Sequence, residues 1–94
     1  MDLQLAGKHL LVTGASRGLG RAVVAELLRA GSKVTAVSRQ QADLASANLK
    51  WKSMAPNAEL TVVCLDLSDP NSIATLSETL QSEGRLDGLI QVAG

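Results

Sequence analysis

The chain has 94 residues, of which 46% are hydrophobic, and this length and composition predict one folded domain. Its single cysteine excludes a disulfide bond within the chain. Nine basic residues balance nine acidic ones, which removes the broad positive field that favours nucleic acid or an anionic membrane as a partner. Trp51 is the only aromatic residue, so the core is expected to be aliphatic. Neither a signal-peptide pattern nor a membrane-spanning run is found, which favours a cytoplasmic location.

Short β-branched runs alternate with longer segments of helical spacing along the chain. Residues 9–13 form a nearly continuous apolar run, which is typical of a strand covered on both faces. His9 begins this run and is interpreted as a strand-end residue. The first helix is predicted over 18–30, with Gly31 at its carboxyl end and with one buried stripe formed by Leu19, Val23, Leu27 and Ala30.

The second strand is predicted at 33–38 and the second helix at 40–55, which Pro56 ends. Apolar residues at helical spacing give this helix one buried face, formed by Leu44, Ala47, Trp51 and Met54. The third strand is predicted at 60–65. It contains Cys64, which is expected to be a buried structural thiol rather than a reactive one.

The third helix is predicted to follow Asp69 and Pro70, a capping carboxylate and a first-turn proline, and to end before Gly84. Its buried face is expected to contain Ile73, Leu76 and Leu80. A fourth strand is predicted at 87–92. Strands joined by helices run parallel, so the fold class is α/β, a Rossmann-type doubly wound parallel sheet of order β-α-β-α-β-α-β along the chain.

Ligands of doubly wound sheets bind beyond the carboxyl ends of the strands, which directs attention to the turn after the first strand. This turn contains Gly14, Gly18 and Gly20 in the spacing G-x-x-x-G-x-G. We assign the three glycines to a tight turn, to close approach of a phosphate, and to close packing of the helix on the sheet. Free N–H groups at the start of the helix favour an anion such as pyrophosphate, although three glycines can also serve only to form a turn.

Two other motifs also place glycines in a strand-to-helix turn, the phosphate-binding loop of nucleoside triphosphatases and the nucleophile elbow of α/β hydrolases. The sequence disfavours both functions. No Lys-Ser or Lys-Thr pair follows the glycines, so a triphosphatase loop is absent. Residues 14–18 match G-x-S-x-G, the nucleophile elbow of α/β hydrolases. That chemistry needs an acid and a histidine after the serine, whereas His9 is the only histidine and precedes it.

With Asp66-Leu67 after the third strand and Ala93-Gly94 after the fourth, the chain resembles the amino-terminal half of the short-chain dehydrogenase/reductase family over essentially all 94 residues. The Ala-Ser-Arg in the turn resembles the NADP(H)-dependent branch. The resemblance implies that residues 1–94 are a dinucleotide-binding portion, in which one group of residues surrounds the ribose and pyrophosphate: Gly14, Ser16, Arg17, Gly18, Leu19 and Gly20. It also implies that Asp66 and Leu67 hold the adenine ring and that Ala93 and Gly94 border the adenosine ribose.

The end of the second strand favours NADP(H) over NAD(H). Ser38 and Arg39 stand there instead of the acid that binds a free 2′-hydroxyl. Arg39, together with Arg17, suits a 2′-phosphate. Taken alone, Arg39 can also be interpreted as a solvent-exposed charge in a loop. Asp66 can likewise be interpreted as a residue that caps a local turn.

The family's catalytic Ser and Tyr-x-x-x-Lys lie beyond the fourth strand, and this chain contains no tyrosine. The resemblance therefore assigns no catalytic residue, and the chain is expected to be inactive alone, as a fragment or one half of a split reductase. The alternative is a non-catalytic nucleotide-binding or interaction module. The family's Asn-Asn-Ala-Gly is here Gln-Val-Ala-Gly at residues 91–94. An uncovered fourth strand predicts that the free chain is poorly stable, associates with itself, or binds a complementary chain that supplies the other half.

Overall fold

A computed structural model describes residues 5–92, in which four strands alternate with three helices. In chain order they are β1 (His9–Thr13), α1 (Gly18–Arg29), β2 (Lys33–Ser38), α2 (Gln41–Met54), β3 (Leu60–Cys64), α3 (Pro70–Glu83) and β4 (Gly88–Gln91). The ends of these elements lie within one residue of the predicted ends. The alternation of β-branched runs and helical spacing was therefore sufficient to identify every element in this part of the chain.

The four strands form one parallel sheet in the order β3-β2-β1-β4, which confirms the doubly wound arrangement. The chain moves outward from β1 to β3 and then returns to pair β4 with the other side of β1. In this pairing Thr13 lies opposite Gln91 and Leu11 lies opposite Leu89. The strand order reverses at β1, so the carboxyl end of β1 is the topological switch point of the sheet.

The helix ends follow from local sequence. The Asp69 side chain accepts a hydrogen bond from the Asn71 backbone N–H at 3.0 Å, and Pro70 occupies the first helical position of α3, as predicted. Gly31 follows the carboxyl end of α1 with a φ of +85°, also as predicted. No helix within residues 5–92 has the length and apolar character needed to cross a bilayer.

The two faces of the sheet are packed differently. We call one the α1/α2 face, because α1 and α2 cover it with a continuous core formed by Leu10, Val12, Ala15, Val24, Leu27, Leu28, Val34, Ala36, Leu44, Ala47 and Trp51. The other is the α3 face, where the buried core comprises only Leu11, Val37 and Leu76. Half-buried residues extend this smaller core: Val63, Leu65, Leu67 and Leu80. Strand alternation sends Leu10 and Leu11 to opposite faces.

The predicted buried stripes of α1 and α3 were wrong at one residue each. Leu19 is 71% exposed, because α1 rests on the sheet through Gly20, Val24, Leu27 and Leu28, and Leu19 lies about 100° around the axis from Gly20. Ile73 is 53% exposed, because α3 turns Ser72 and Leu76 toward the sheet. In both helices a small residue occupies the buried stripe, and an apolar neighbour lies outside it.

The prediction of a buried Cys64 was also wrong. β3 pairs only with β2 in the described sheet, and Cys64 at its carboxyl end is exposed beside a hollow between α2 and β3. An apolar sequence context therefore did not bury the thiol at the end of an outer strand. On β4 the expected incomplete cover is confirmed, since Leu89 is 59% exposed and Ile90 is half-buried.

Candidate functional site

The carboxyl ends of the strands meet at one edge of the sheet, where two hollows lie side by side. The β3-side hollow, of about 260 Å³, is lined by Thr13, Gly14, Val37, Ser38, Arg39, Gln40, Leu65, Asp66, Leu67, Ser68 and Val92. The turn-side hollow, of about 320 Å³, is lined by Gly14, Ser16, Arg17, Gly18, Leu19, Gln40 and Val92. The two hollows share Gly14, Gln40 and Val92, so they form one continuous groove across the end of β1.

The glycine turn is built by two close backbone approaches. Gly14 has a φ of +67°, and a Cβ at this position would overlap the carbonyl oxygen of Val92. A Cβ on Gly20 would overlap the carbonyl oxygen of Gly14, which shows how closely α1 lies on the turn. The Ala15 N–H donates to the Val37 carbonyl at 3.1 Å and ties the turn to β2. The missing side chains at Gly14 and Gly20 therefore let these backbone segments pack together, whereas Gly18 lines the turn-side hollow and has no other atom near its missing side chain.

The amino terminus of α1 opens into the turn-side hollow. Arg17 is the N-cap residue, but its side chain makes no capping hydrogen bond, and the first turn contains no acidic residue. The first N–H groups of a helix lack partners within the helix, and the helix dipole places partial positive charge there. This end of α1 can accept an anion without competition from a nearby carboxylate of its own first turn.

Two buried serines join the glycine turn to the end of β2. Ser16 is 2% exposed and Ser38 is 4% exposed, and their Oγ atoms lie 2.6 Å apart. Ser38 also accepts a hydrogen bond from the Gln40 backbone N–H at 3.2 Å and donates to the Gln40 side-chain Oε1 at 3.3 Å. The serine pair therefore fixes the separation between the two loops that line the groove.

The two arginines line different hollows. Arg17 lies on the turn-side hollow, and its Nε is 3.3 Å from the Asp43 Oδ2 in the first turn of α2. Arg39 lies on the β3-side hollow, close enough to Asp66 to affect its ionisation. Both arginine side chains are exposed. The groove therefore has positive charge at each side and Gln40 between the charges.

Asp66 and Leu67 form the outer wall of the β3-side hollow. Asp66 Oδ1 accepts hydrogen bonds from the Ser68 hydroxyl at 2.7 Å and from the Ser68 backbone N–H at 3.0 Å. These bonds, with a smaller contribution from the charge of Arg39, hold the pKa of the Asp66 carboxyl below its usual value. Asp66 thus caps a local turn and also faces the hollow, so the two sequence interpretations of this residue are compatible.

The structure adds lining residues that sequence reasoning missed: Thr13, Val37, Gln40, Leu65, Ser68 and Val92. The only available signal for Gln40 was its position directly after Ser38 and Arg39. Val92 stands where the family pattern has asparagine, and it packs half-buried against the core of the α1/α2 face. Its N–H donates to the Thr13 carbonyl at 3.2 Å. The predicted contacts of Ala93 and Gly94 lie outside the described residues.

Comparison with known proteins identifies the family. A family model described as short chain dehydrogenase matches residues 8–94. The L-xylulose reductase of Mesocricetus auratus is 45% identical over 93 residues, which are 99% of this chain and 34% of the relative. The chain therefore belongs to the short-chain dehydrogenase family. It spans about a third of the length of the curated relatives that it matches.

Solved structures agree on the fold. An L-sorbose reductase from Gluconobacter frateurii, complexed with NADPH and L-sorbose, superimposes with a TM-score of 0.88 at 28% identity. The match covers 100% of this chain and 36% of the sorbose reductase. An NAD+-bound xylitol dehydrogenase superimposes with a TM-score of 0.81 at 23% identity, covering 92% of this chain and 33% of that one. The second likeness concerns the fold alone.

No group of three or more His, Cys, Asp and Glu side chains within residues 5–92 is arranged to hold a metal ion.

Proposed function

We propose that this chain binds NADP(H) and forms the cofactor-binding portion of a short-chain reductase. The observation that carries the proposal is the groove itself. It crosses the switch point of the sheet, is lined by Gly14 and Gly18, which carry no side chain, and meets an uncapped helix terminus. A dinucleotide is a long ligand with an anionic centre, and such a groove suits its shape and charge.

The lining residues suggest how the cofactor lies. The adenine ring would occupy the β3-side hollow between Leu67 and the end of β2, with the Asp66 carboxylate beside it. The pyrophosphate would lie over Gly18 and Leu19, against the first N–H groups of α1. The exposure of Leu19 supports this arrangement, because its side chain borders the turn-side hollow rather than the core.

The fold alone does not choose between the two nicotinamide cofactors, because the sorbose reductase was solved with NADPH and the xylitol dehydrogenase with NAD+. The side chains favour NADP(H). Arg17 and Arg39 border the groove from both sides, and residues 38–40 contain no acid. Asp43, an acid in the first turn of α2, already pairs with Arg17. A 2′-phosphate would therefore meet positive charge and no free carboxylate at residues 38–40.

For the whole protein we propose hydride transfer between NADPH and a carbonyl or alcohol substrate. Bound cofactor supplies the hydride, while the residues of this chain hold its adenosine and pyrophosphate and leave the nicotinamide to be covered by other groups. The matched relatives include L-xylulose reductase and L-sorbose reductase, which supports a reductase rather than a non-catalytic nucleotide-binding module. Reduction of a carbonyl substrate by the full-length gene product would decide between the two.

Thermal unfolding of the chain with each cofactor tests the binding proposal. NADPH at a hundredfold excess over its Kd is expected to stabilise the chain by about 2.7 kcal/mol, and NADH at the same concentration by less. Arg39→Asp should weaken NADPH binding at least about tenfold, since it replaces an attractive charge with a repulsive one. Lys50→Asp makes a similar charge change on α2, at an exposed residue away from the groove, and should leave the preference intact. Equal stabilisation by NADPH and NADH contradicts the proposal.

We also propose that self-association or a complementary chain covers β4, and with it the α3 face. Leu89 on β4 and Ile73 on α3 are more than half exposed, and a mostly apolar hollow of about 390 Å³ lies between Ile73 and Gly84. Large apolar side chains left exposed to solvent favour association. Sedimentation velocity should show concentration-dependent association that Leu89→Lys reduces. A monomer at every concentration, with cooperative unfolding, contradicts this proposal.

A further inference from the structure

We draw no further inference here: the strongest candidate, the hollow of about 230 Å³ between α2 and β3 that is lined by the exposed Cys64 and the half-buried Asn48, carries none, because nothing in the structure shows what would occupy it.

Discussion

The two faces of the sheet are stabilised in different ways. On the α1/α2 face, two helices bury a continuous aliphatic core around Trp51, whose indole N–H donates to the Arg21 carbonyl at 3.3 Å. On the α3 face, one helix covers a small apolar core, and polar groups occupy the amino-terminal half of the strands. Apolar burial is not directional, whereas hydrogen bonds fix specific positions. The first face therefore supplies most of the stability, and the second face sets the position of α3.

The polar groups of the α3 face form two hydrogen-bonded groups at the edge opposite the groove, which together we call the polar network. His9 Nε2 lies 2.8 Å from Thr35 Oγ1, and His9 Nδ1 lies 3.1 Å from the Arg85 carbonyl oxygen. A carbonyl only accepts, so Nδ1 carries a proton and a neutral His9 accepts from Thr35. Glu83 accepts from Thr61 at 2.7 Å, and Lys33 lies 3.2 Å from the Glu83 carboxylate. Glu83 thus attaches the carboxyl end of α3 to β2 and β3, and the Arg85 carbonyl attaches the segment after α3 to β1.

A pair of leucine truncations gives the largest expected contrast between the faces. Leu27 on the α1/α2 face and Leu76 on the α3 face are 6% and 8% exposed, so they begin from nearly equal burial. Leu27→Ala should lower the free energy of unfolding by about 3.5 kcal/mol, because the cavity is enclosed by a rigid core. Leu76→Ala should cost about 2 kcal/mol, because half-buried neighbours can relax into the space. Urea unfolding measures both, and equal losses contradict the proposed difference between the faces.

Gly20→Ala tests the close approach of α1 to the glycine turn, which lies on the α1/α2 face. The new methyl group would overlap the Gly14 carbonyl oxygen, so α1 must move away from the turn, with an expected loss of about 3 kcal/mol. Gly18→Ala is the control, since its Cβ would meet no atom within 4 Å and only its φ of +53° opposes the change. That control should lose about 1 kcal/mol. Similar losses for the two variants in thermal or urea unfolding exclude close packing as the cause.

Glu83→Gln tests the polar network of the α3 face. The hydrogen bond from Thr61, followed by the hydrogen bond and charge of Lys33, lowers the pKa of the Glu83 carboxyl. A lowered carboxyl pKa contributes stability that is fully present above the unfolded-state value of about 4.3 and is lost as the pH falls through the folded-state value. Glu83→Gln should cost about 1 kcal/mol at pH 7 and should flatten the decline in stability below about pH 4.3.

Glu78→Gln is the control for this pH experiment, because Glu78 is an exposed residue of the same helix. It leaves the contacts of Glu83 with Thr61 and Lys33 in place, so the decline in stability attributed to Glu83 should remain. The lowered pKa values of Asp66 and Asp87 are expected to leave part of the acid dependence in place in both variants. A decline in stability below about pH 4.3 that is as steep in Glu83→Gln as in the unaltered chain excludes Glu83 as a contributor.

Ile73→Gln should have the smallest effect on unfolding. Ile73 lies on the solvent side of α3, so the substitution should change the free energy of unfolding by less than about 0.5 kcal/mol. The same variant should reduce self-association if the α3 face binds a protein surface. A large loss of stability instead shows that the Ile73 side chain is covered in solution, as the original helical pattern predicted.

Most of the fold and much of the groove were predictable from local patterns. The strands were found because β-branched runs differ in composition and length from the helical segments, and Asp69, Pro70 and Gly31 identified helix ends. The glycine turn and Arg39 were recognised because their residue types suit phosphate binding. Gln40 was missed because its importance comes from the bond with Ser38 and from its place between the two hollows.

The sequence by itself determined the order of the elements, the parallel sheet and the edge at which the groove forms, because these depend on composition, spacing and the handedness of short connections. Only the tertiary structure decided which side of each helix meets the sheet. Gly20 and Ser72 lie in buried stripes, whereas Leu19 and Ile73 lie outside them. Helical spacing gives the period of a stripe but not its direction, which depends on the strands that the helix contacts. Those contacts join residues far apart in the chain, so no local pattern contains them.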